Sequence, residues 1–471
     1  MISRLPKLSL PIAIGLGFFF AVYLVVFRPG YLLSAEYLGM LIFLQVLAAV
    51  LWKFRQRFFP FLILMFLAAT TTLPLQSARW VILGAGVLAG CAISLRDRQH
   101  SVGAFHCVAL FCVLAALGST TVPAYPSQAL LKTLSLLLLF LYGSFGARLA
   151  VAGRERQFLA GLLLGCEVVI YLLAPTYFIL RVEFLGNPNS LGAVMGLVAL
   201  PLMLWGIIAS DRIVVRRRRV FAFLLALLLL LSSYSRASIA AAAFSCVLLC
   251  VVLRRYNLLM KGCVVAVVGA VIIATIAPPL AEPSQSVTSA FLYKGHQSAG
   301  FMDSRKSVWQ ETLSTIQEHP WLGTGFGTIG TNFDTGQESS KFSSNNNITR
   351  EHGNSYLAIV EGVGLLGAAP FLTLAFLVAI NATRVLVWAR KTHDPRSLAI
   401  PIAAVMVAGL IHAGFEDWLF AVGNYVCVFF WSLAFILVDL LPAKEPHRAL
   451  SAALPSPLPR MDSFNVIPSA R

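Results

Sequence analysis

The sequence predicts an all-α fold: a polytopic transmembrane helical bundle of about 12–14 spans, with both termini cytoplasmic and one large outward loop containing short helices. Three observations predict it. Hydrophobic residues make up 58% of the 471 and charged residues only 12%, where a soluble domain carries roughly 25%. Apolar runs such as Phe221–Leu231 (FAFLLALLLLL) are unbroken, which suits helices and not the alternating strands of a membrane barrel. Finally, Lys and Arg cluster in alternate gaps between the runs, the pattern that orients membrane helices.

A span needs about 20 apolar residues. From the N-terminus, candidate spans cover about 8–27, 37–52, 58–76, 80–95, 102–122, 128–149, 158–180, 189–210, 220–235, 237–253 and 262–280. After a long polar segment come about 355–388, 397–418 and 419–441. The basic gaps hold Arg4/Lys7, Lys53/Arg55/Arg57, Arg96/Arg98, Arg154/Arg156, Arg212 with Arg216–Arg219, Arg254/Arg255/Lys261 and Arg390/Lys391/Arg396. Placing them inside puts 117–127, 175–188, 232–236, the long segment and 412–418 outside, with Arg28, Arg79 and Lys132 as exceptions. The organisation is then 1–180, N-terminal transmembrane helices; 181–280, further transmembrane helices; 281–352, the large outer loop; 353–441, C-terminal transmembrane helices; and 442–471, a Pro- and Ala-rich cytoplasmic tail expected to be disordered. The first apolar run is too long for a signal-peptide core and reads as a retained span.

Composition also excludes function classes. The net charge of +16 resides mainly in the gaps between spans, so no nucleic-acid partner is expected. All eight cysteines lie in apolar runs, without metal-ligand or disulfide-framework spacing, and read as small core residues. The outer Gly-rich stretch lacks the Gly-Lys-Ser/Thr ending of a phosphate-binding loop. Neither a metal nor a cofactor is expected.

The outer segment has its own pattern. Asp303 starts a helix through Glu318, with Trp309, Leu313 and Ile316 at helical spacing, and Pro320 ends it. Gly323, Gly325, Gly327 and Gly330 follow, then a Ser/Asn-rich run to Thr349.

Charged residues at the outer ends carry the functional signal. Arg236 lies between Arg219 and Arg254 with no other charge in either interval, and each arm spans roughly 25 Å at helical rise. It therefore sits at the tip of a tight helical hairpin on the outer side. The same reasoning places Arg181 outside, and Arg305 belongs to the outer loop. Three guanidinium groups at one face point to an anionic ligand such as phosphate; the competing reading is snorkelling at span ends. His352 and His319 are candidate general bases, against the commoner role of a surface or helix-end histidine. Glu416 and Asp417 are candidate orienting carboxylates, or solvated turn residues. Glu167, eleven residues past Arg156, is placed near mid-bilayer, where a carboxyl is either protonated and hydrogen-bonded between helices or part of a proton relay.

Five motifs in order then resemble one family. They are Arg181 with GNPNSLG (Gly186–Gly192), SYSRAS around Arg236, DSRKSVW around Arg305, HPWLGTGFG (His319–Gly327), and HGNSYLAIVEGVGLLG (His352–Gly367). This is similar to the O-antigen ligase-like family of bacterial membrane glycosyltransferases, which also takes in O-antigen and exopolysaccharide polymerases. The similarity runs from about Arg181 to Trp418. One departure stands out: the family pattern has His immediately before Asn, whereas here Gly353 separates His352 from Asn354.

The resemblance implies a metal-independent, inverting glycosyltransferase in the bacterial inner membrane, with its large loop and active site on the periplasmic face. It would move glycan from an undecaprenyl-pyrophosphate carrier to an acceptor hydroxyl, on lipid A-core for a ligase or on another glycan chain for a polymerase. Arg181, Arg236 and Arg305 would bind the pyrophosphate. His352 would activate or position the acceptor, with Asn354, Glu416, Asp417 and His319 as possible orienting groups. The rival classes are a transporter or flippase of lipid-linked or anionic envelope precursors, which Glu167 would suit, and a non-catalytic envelope scaffold.

Overall fold

The computed structural model describes residues 83–84, 86–88, 90, 103–122, 126–180, 188–264, 303–328 and 352–442. The expected spans at 8–27, 37–52 and 58–76, most of that at 262–280, and Arg181 lie outside the described residues. Among the described residues the structure is helical, without a strand. In chain order the helices are α1 (Ala104–Ser119), α2 (Pro126–Ala147), α3 (Glu155–Phe178), α4 (Pro188–Ile208) and α5 (Ile213–Ser232). Then follow α6 (Arg236–Val252), α7 (Asp303–Glu318), α8 (Ser355–Thr392), α9 (Ala399–Ala413) and α10 (Tyr425–Asp439). The chain divides into Met1–Leu441 and Pro442–Arg471, and these helices all belong to the first unit.

Four of them, α2, α3, α4 and α8, are long and apolar enough to cross a membrane. The shorter α1, α6, α9 and α10 are also apolar. The central post is α4, whose apolar window is 94% buried. Leucines and phenylalanines of α1, α5 and α8 are exposed on the periphery, among them Phe111, Phe221 and Phe376, as expected where the surrounding solvent is lipid.

Contacts between helix ends sort the bundle into two poles. At one, Tyr177 Oη donates to the Ser232 carbonyl at 2.9 Å, Tyr425 Oη to the Ser190 carbonyl at 3.2 Å, and the Phe326 N–H to Ser119 Oγ at 3.0 Å. At the other, Trp205 Nε1 donates to the Pro395 carbonyl at 2.9 Å, Arg396 pairs with Asp211, and Arg148 pairs with Asp439 and touches His106. The second pole holds Arg154, Arg212, Arg254 and Arg390 as well, since these residues flank or end the same helices. Arg236, Arg305 and Lys132 belong to the first; Lys132 lies against Gly327, where an added Cβ would be 2.9 Å from its Cγ.

One expectation is corrected here. The Arg216–Arg219 run is not a loop: α5 begins at Ile213, seven residues before the expected 220, so the arginines occupy its first two turns. Their long apolar stems tolerate that position. Arg218 Nε lies 2.8 Å and Arg219 Nε 3.4 Å from the buried Glu167 carboxylate. Arg219 also donates to the Gly206 carbonyl and Ser210 Oγ. Glu167 is thus an ion-paired carboxylate tied to the basic pole, which accounts for its burial without a relay.

The feature that builds the site is a break in α8. Gly364 has φ 70° and ψ 177°, conformations that an L side chain rarely adopts. The Pro320–Gly327 segment fits into this break. Leu365 N–H donates to the Pro320 carbonyl at 2.8 Å, and Thr324 and Gly325 N–H donate to the Glu361 and Gly362 carbonyls at 2.9 Å. The Leu365 amide and the Glu361 and Gly362 carbonyls, which the break takes out of the helical ladder, therefore have new partners. The glycines are there for close approach: a Cβ on Gly323 would meet the Glu361 carbonyl at 2.5 Å, and one on Gly364 would collide with the Trp321 carbonyl. Phe326 then stacks on Phe371 of the continuing helix, with ring centroids 5.9 Å apart.

Candidate active site

Three elements converge at the first pole: the start of α7, the start of α8, and the loop Gly414–Asn424 between α9 and α10. Asn354 is the N-cap of α8, its Oδ1 accepting from the Tyr356 N–H at 2.9 Å and the Leu357 N–H at 3.2 Å. That holds the helix end and leaves the preceding His352 just before the cap. Ser355 locks the loop onto the helix. Its hydroxyl donates to the Glu416 carbonyl at 2.6 Å and accepts from the Leu419 N–H at 3.0 Å.

His352 sits between two carboxylates. Nδ1 is 3.1 Å from Asp417 Oδ2, which also accepts the His352 backbone N–H at 3.0 Å. Nε2 is 3.3 Å from Oε2 of Glu361, a carboxylate only 2% exposed. Burial works to lower the His352 pKa, but hydrogen bonds to Asp417 and Glu361 and their negative charges outweigh it and raise it to about 9. Burial in turn pushes the Asp417 carboxyl up, yet the His352 ring and backbone donors hold it below its usual value. Asp417 and Glu361 therefore brace the His352 ring, one at each nitrogen.

Arg305, in the first turn of α7, reaches the same place. Its Nη2 donates to Glu416 Oε1 at 2.7 Å, and its guanidinium lies on Gly353, where a Cβ would be 2.5 Å from Nη1. Trp309 Nε1 donates to the Gly353 carbonyl at 3.3 Å and fixes α7 on this turn. The glycine between His352 and Asn354 is thus the seat of the Arg305 side chain. With φ 62° it takes a conformation that suits glycine.

Arg236 is the first residue of α6, directly after a tight turn. Ser233 Oγ donates to the Leu230 carbonyl at 2.7 Å and accepts the Ser235 N–H at 3.3 Å, while Tyr234 takes φ 50°. The start of α4 packs on this turn: a Cβ on Gly192 would be 2.5 Å from that of Ser235. So GNPNSLG and SYSRAS meet through glycine and serine.

The structure therefore brings Arg305, His352, Asn354, Glu416 and Asp417 together, with Arg236 at the same pole. His319 is not among them. It is exposed at the far end of α7, roughly 20 Å along the helix from Arg305, and its carbonyl accepts the Gly323 N–H at 3.2 Å. Two groups in contact with this cluster were not singled out from sequence: Glu361 and Ser355. Glu361 had a signal, a lone acid in an apolar run. Among the described residues, no group of three or more His, Cys, Asp or Glu is arranged to hold a metal ion.

Residues 221–372 match the family model described as O-antigen ligase. Over that stretch, about a third of the chain, the sequence is similar to the O-antigen ligase family. The match starts within α5 and ends within α8, so it takes in Arg236, Arg305, His352 and Glu361, while Glu416 and Asp417 lie beyond it. The match supports a membrane glycosyl-transfer function of the ligase or polymerase type. No match was found among curated proteins.

Proposed function

We propose that this protein transfers glycan from an undecaprenyl-pyrophosphate carrier to an acceptor hydroxyl at the pole bearing Arg236, Arg305 and His352. That pole faces the periplasm and the arginine-rich pole the cytoplasm of a bacterial inner membrane, by the bias of basic residues toward the inside. The observation that carries the reading is the braced His352 with Arg305 beside it, both on the outer segment and helix that the family match covers.

In this reading Arg236 and Arg305, together with Arg181, bind the pyrophosphate and stabilise the negative charge that grows on it as the glycosidic C–O bond breaks. The acceptor oxygen attacks the anomeric carbon from the opposite side, giving inversion in one displacement. Its proton passes to the neutral fraction of His352, and Asp417 and Glu361 stabilise the imidazolium so formed. The carboxylates make His352 a stronger base and a scarcer one at neutral pH. The donor carries its own activation, so the reading routes no step through a metal or cofactor.

The deciding experiment reconstitutes the protein in lipid with a pyrophosphate-linked glycan and an acceptor. Arg236→Ala should insert normally and lose transfer; an inserted variant that still transfers glycan overturns the reading. Comparing glycans of a deletion strain identifies the acceptor. Single repeat units left on the acceptor mean a polymerase, and polymer accumulating on the carrier means a ligase.

A further inference from the structure

Behind the Arg236 turn runs a chain of four buried side chains that the reaction as described does not use. Trp418 Nε1 donates to His412 Nδ1 at 2.7 Å. His412 Nε2 lies 3.0 Å from Ser238 Oγ, and Ser238 Oγ lies 2.7 Å from Ser235 Oγ. All four are at most 4% exposed. An indole N–H can only donate, so His412 Nδ1 is an acceptor and the ring proton resides on Nε2. Nε2–H then donates to Ser238 Oγ, and the Ser238 and Ser235 hydroxyls share the next hydrogen bond. A protonated His412 would have no lone pair for Trp418.

The two ends of the chain matter. Ser235 is the N-cap residue of α6, and Arg236 follows it directly. At the other end, Trp418 follows Glu416 and Asp417, the partners of Arg305 and His352. Gly409 makes room for the Phe430 ring, since a Cβ there would be 2.6 Å from Cε2. The Trp418 ring packs edge-on against Phe430 with centroids 5.5 Å apart. Neither end can shift without breaking a buried hydrogen bond.

We infer that His412 is a positioning residue, which holds the Arg236 turn at a fixed distance from the carboxylate loop through Ser238 and Ser235 on one side and Trp418 on the other. The inference rests on the proposed role of Arg236 in binding a diphosphate. It makes the two halves of the anion site one rigid unit, although α6 and α9 are far apart in sequence.

The test uses full-length protein in lipid nanodiscs, with farnesyl diphosphate as the binding probe and glycan transfer as a second readout. Ser238→Ala and Trp418→Phe each remove one link while keeping most of the packing. Each should weaken probe binding about tenfold and leave the KM for acceptor unchanged. In an Arg236→Ala background both effects should vanish, whereas a loss of general stability would persist. Equal losses in the two backgrounds, or normal binding by both single variants, overturn the positioning role alone. Probe binding by Arg236→Ala as tight as the wild type overturns that role and the assignment of Arg236 together.

Discussion

The Arg305 guanidinium rests on the α-carbon of Gly353, so close that a methyl group there would come within 2.5 Å of Nη1. The same arginine is held by Glu416 at 2.7 Å. Gly353→Ala should therefore displace Arg305 as well as strain a backbone at φ 62°, at a cost of about 1–2 kcal/mol for the left-handed conformation alone. We expect transfer to fall at least tenfold, at about 1.4 kcal/mol per decade, while the protein still inserts and elutes as wild type. Steady-state transfer rates in lipid check this, and unchanged rates would remove Arg305 from the site.

His352 gives the reaction a pH dependence of known sign. Its pKa is raised to about 9 by Asp417 and Glu361, and only the neutral ring accepts a proton. Transfer should therefore climb about tenfold per pH unit below that value and level off near it. The stability contribution runs the other way. The folded pKa lies above the ordinary 6.5, so this contribution is complete below that value and is lost as pH rises through about 9. A flat rate profile from pH 6 to 9 would count against His352 as the base.

Glu361 is the carboxylate that distinguishes bracing from bystanding. Glu361→Gln removes one of the two negative charges facing the ring, so the inflection should move to lower pH and the limiting rate should drop. An unmoved inflection with a normal rate would assign Glu361 to packing.

The sequence made the helices legible where length, apolar content and a stop signal agreed. The helix α7 stops at the expected Glu318, ahead of Pro320, and begins with the Asp303 expected to cap it. The start of α5 was read seven residues late, since four consecutive arginines resemble a loop until their stems are seen along Glu167 and Ser210. The arginine and histidine at the outer turns were visible as charges without an apolar role. The roles of Glu361 and His412 were not, although Glu361 stands out as a lone acid, because the partners that give each a role come from other elements: His412 meets Ser238, 174 positions away. Gly353 looked like a departure from the family pattern, and only the position of Arg305 explains it.

Glu167 separates a structural ion pair from a transport relay. It is 3% exposed at the side chain and lies between Arg218 and Arg219, of which Arg218 is half exposed. Glu167→Gln would leave Arg219 less compensated and lower the melting temperature by about 2–4 °C, with the transfer rate unchanged. A collapse of transfer in a stably folded Glu167→Gln protein would revive a role for this carboxyl beyond the fold.

The break in α8 gives the last prediction. Gly364 can hold φ 70° and lie against the Trp321 carbonyl only because it has no side chain. In Gly364→Ala the helix has a ready alternative: Leu365 N–H returns to the Glu361 carbonyl as an ordinary helical bond, and α8 straightens. The Thr324 and Gly325 amides then lose the Glu361 and Gly362 carbonyls that hold them at 2.9 Å. Hydrogen exchange at those two amides should accelerate, and protease should cut within 320–327, while the rest of the bundle stays protected. Because α7 and Arg305 are anchored to α8 through this segment, transfer should fall more than tenfold, by the 1.4 kcal/mol per decade that relates barrier to rate. Unchanged protection of Thr324 and Gly325 would mean that the segment holds its place without the glycine.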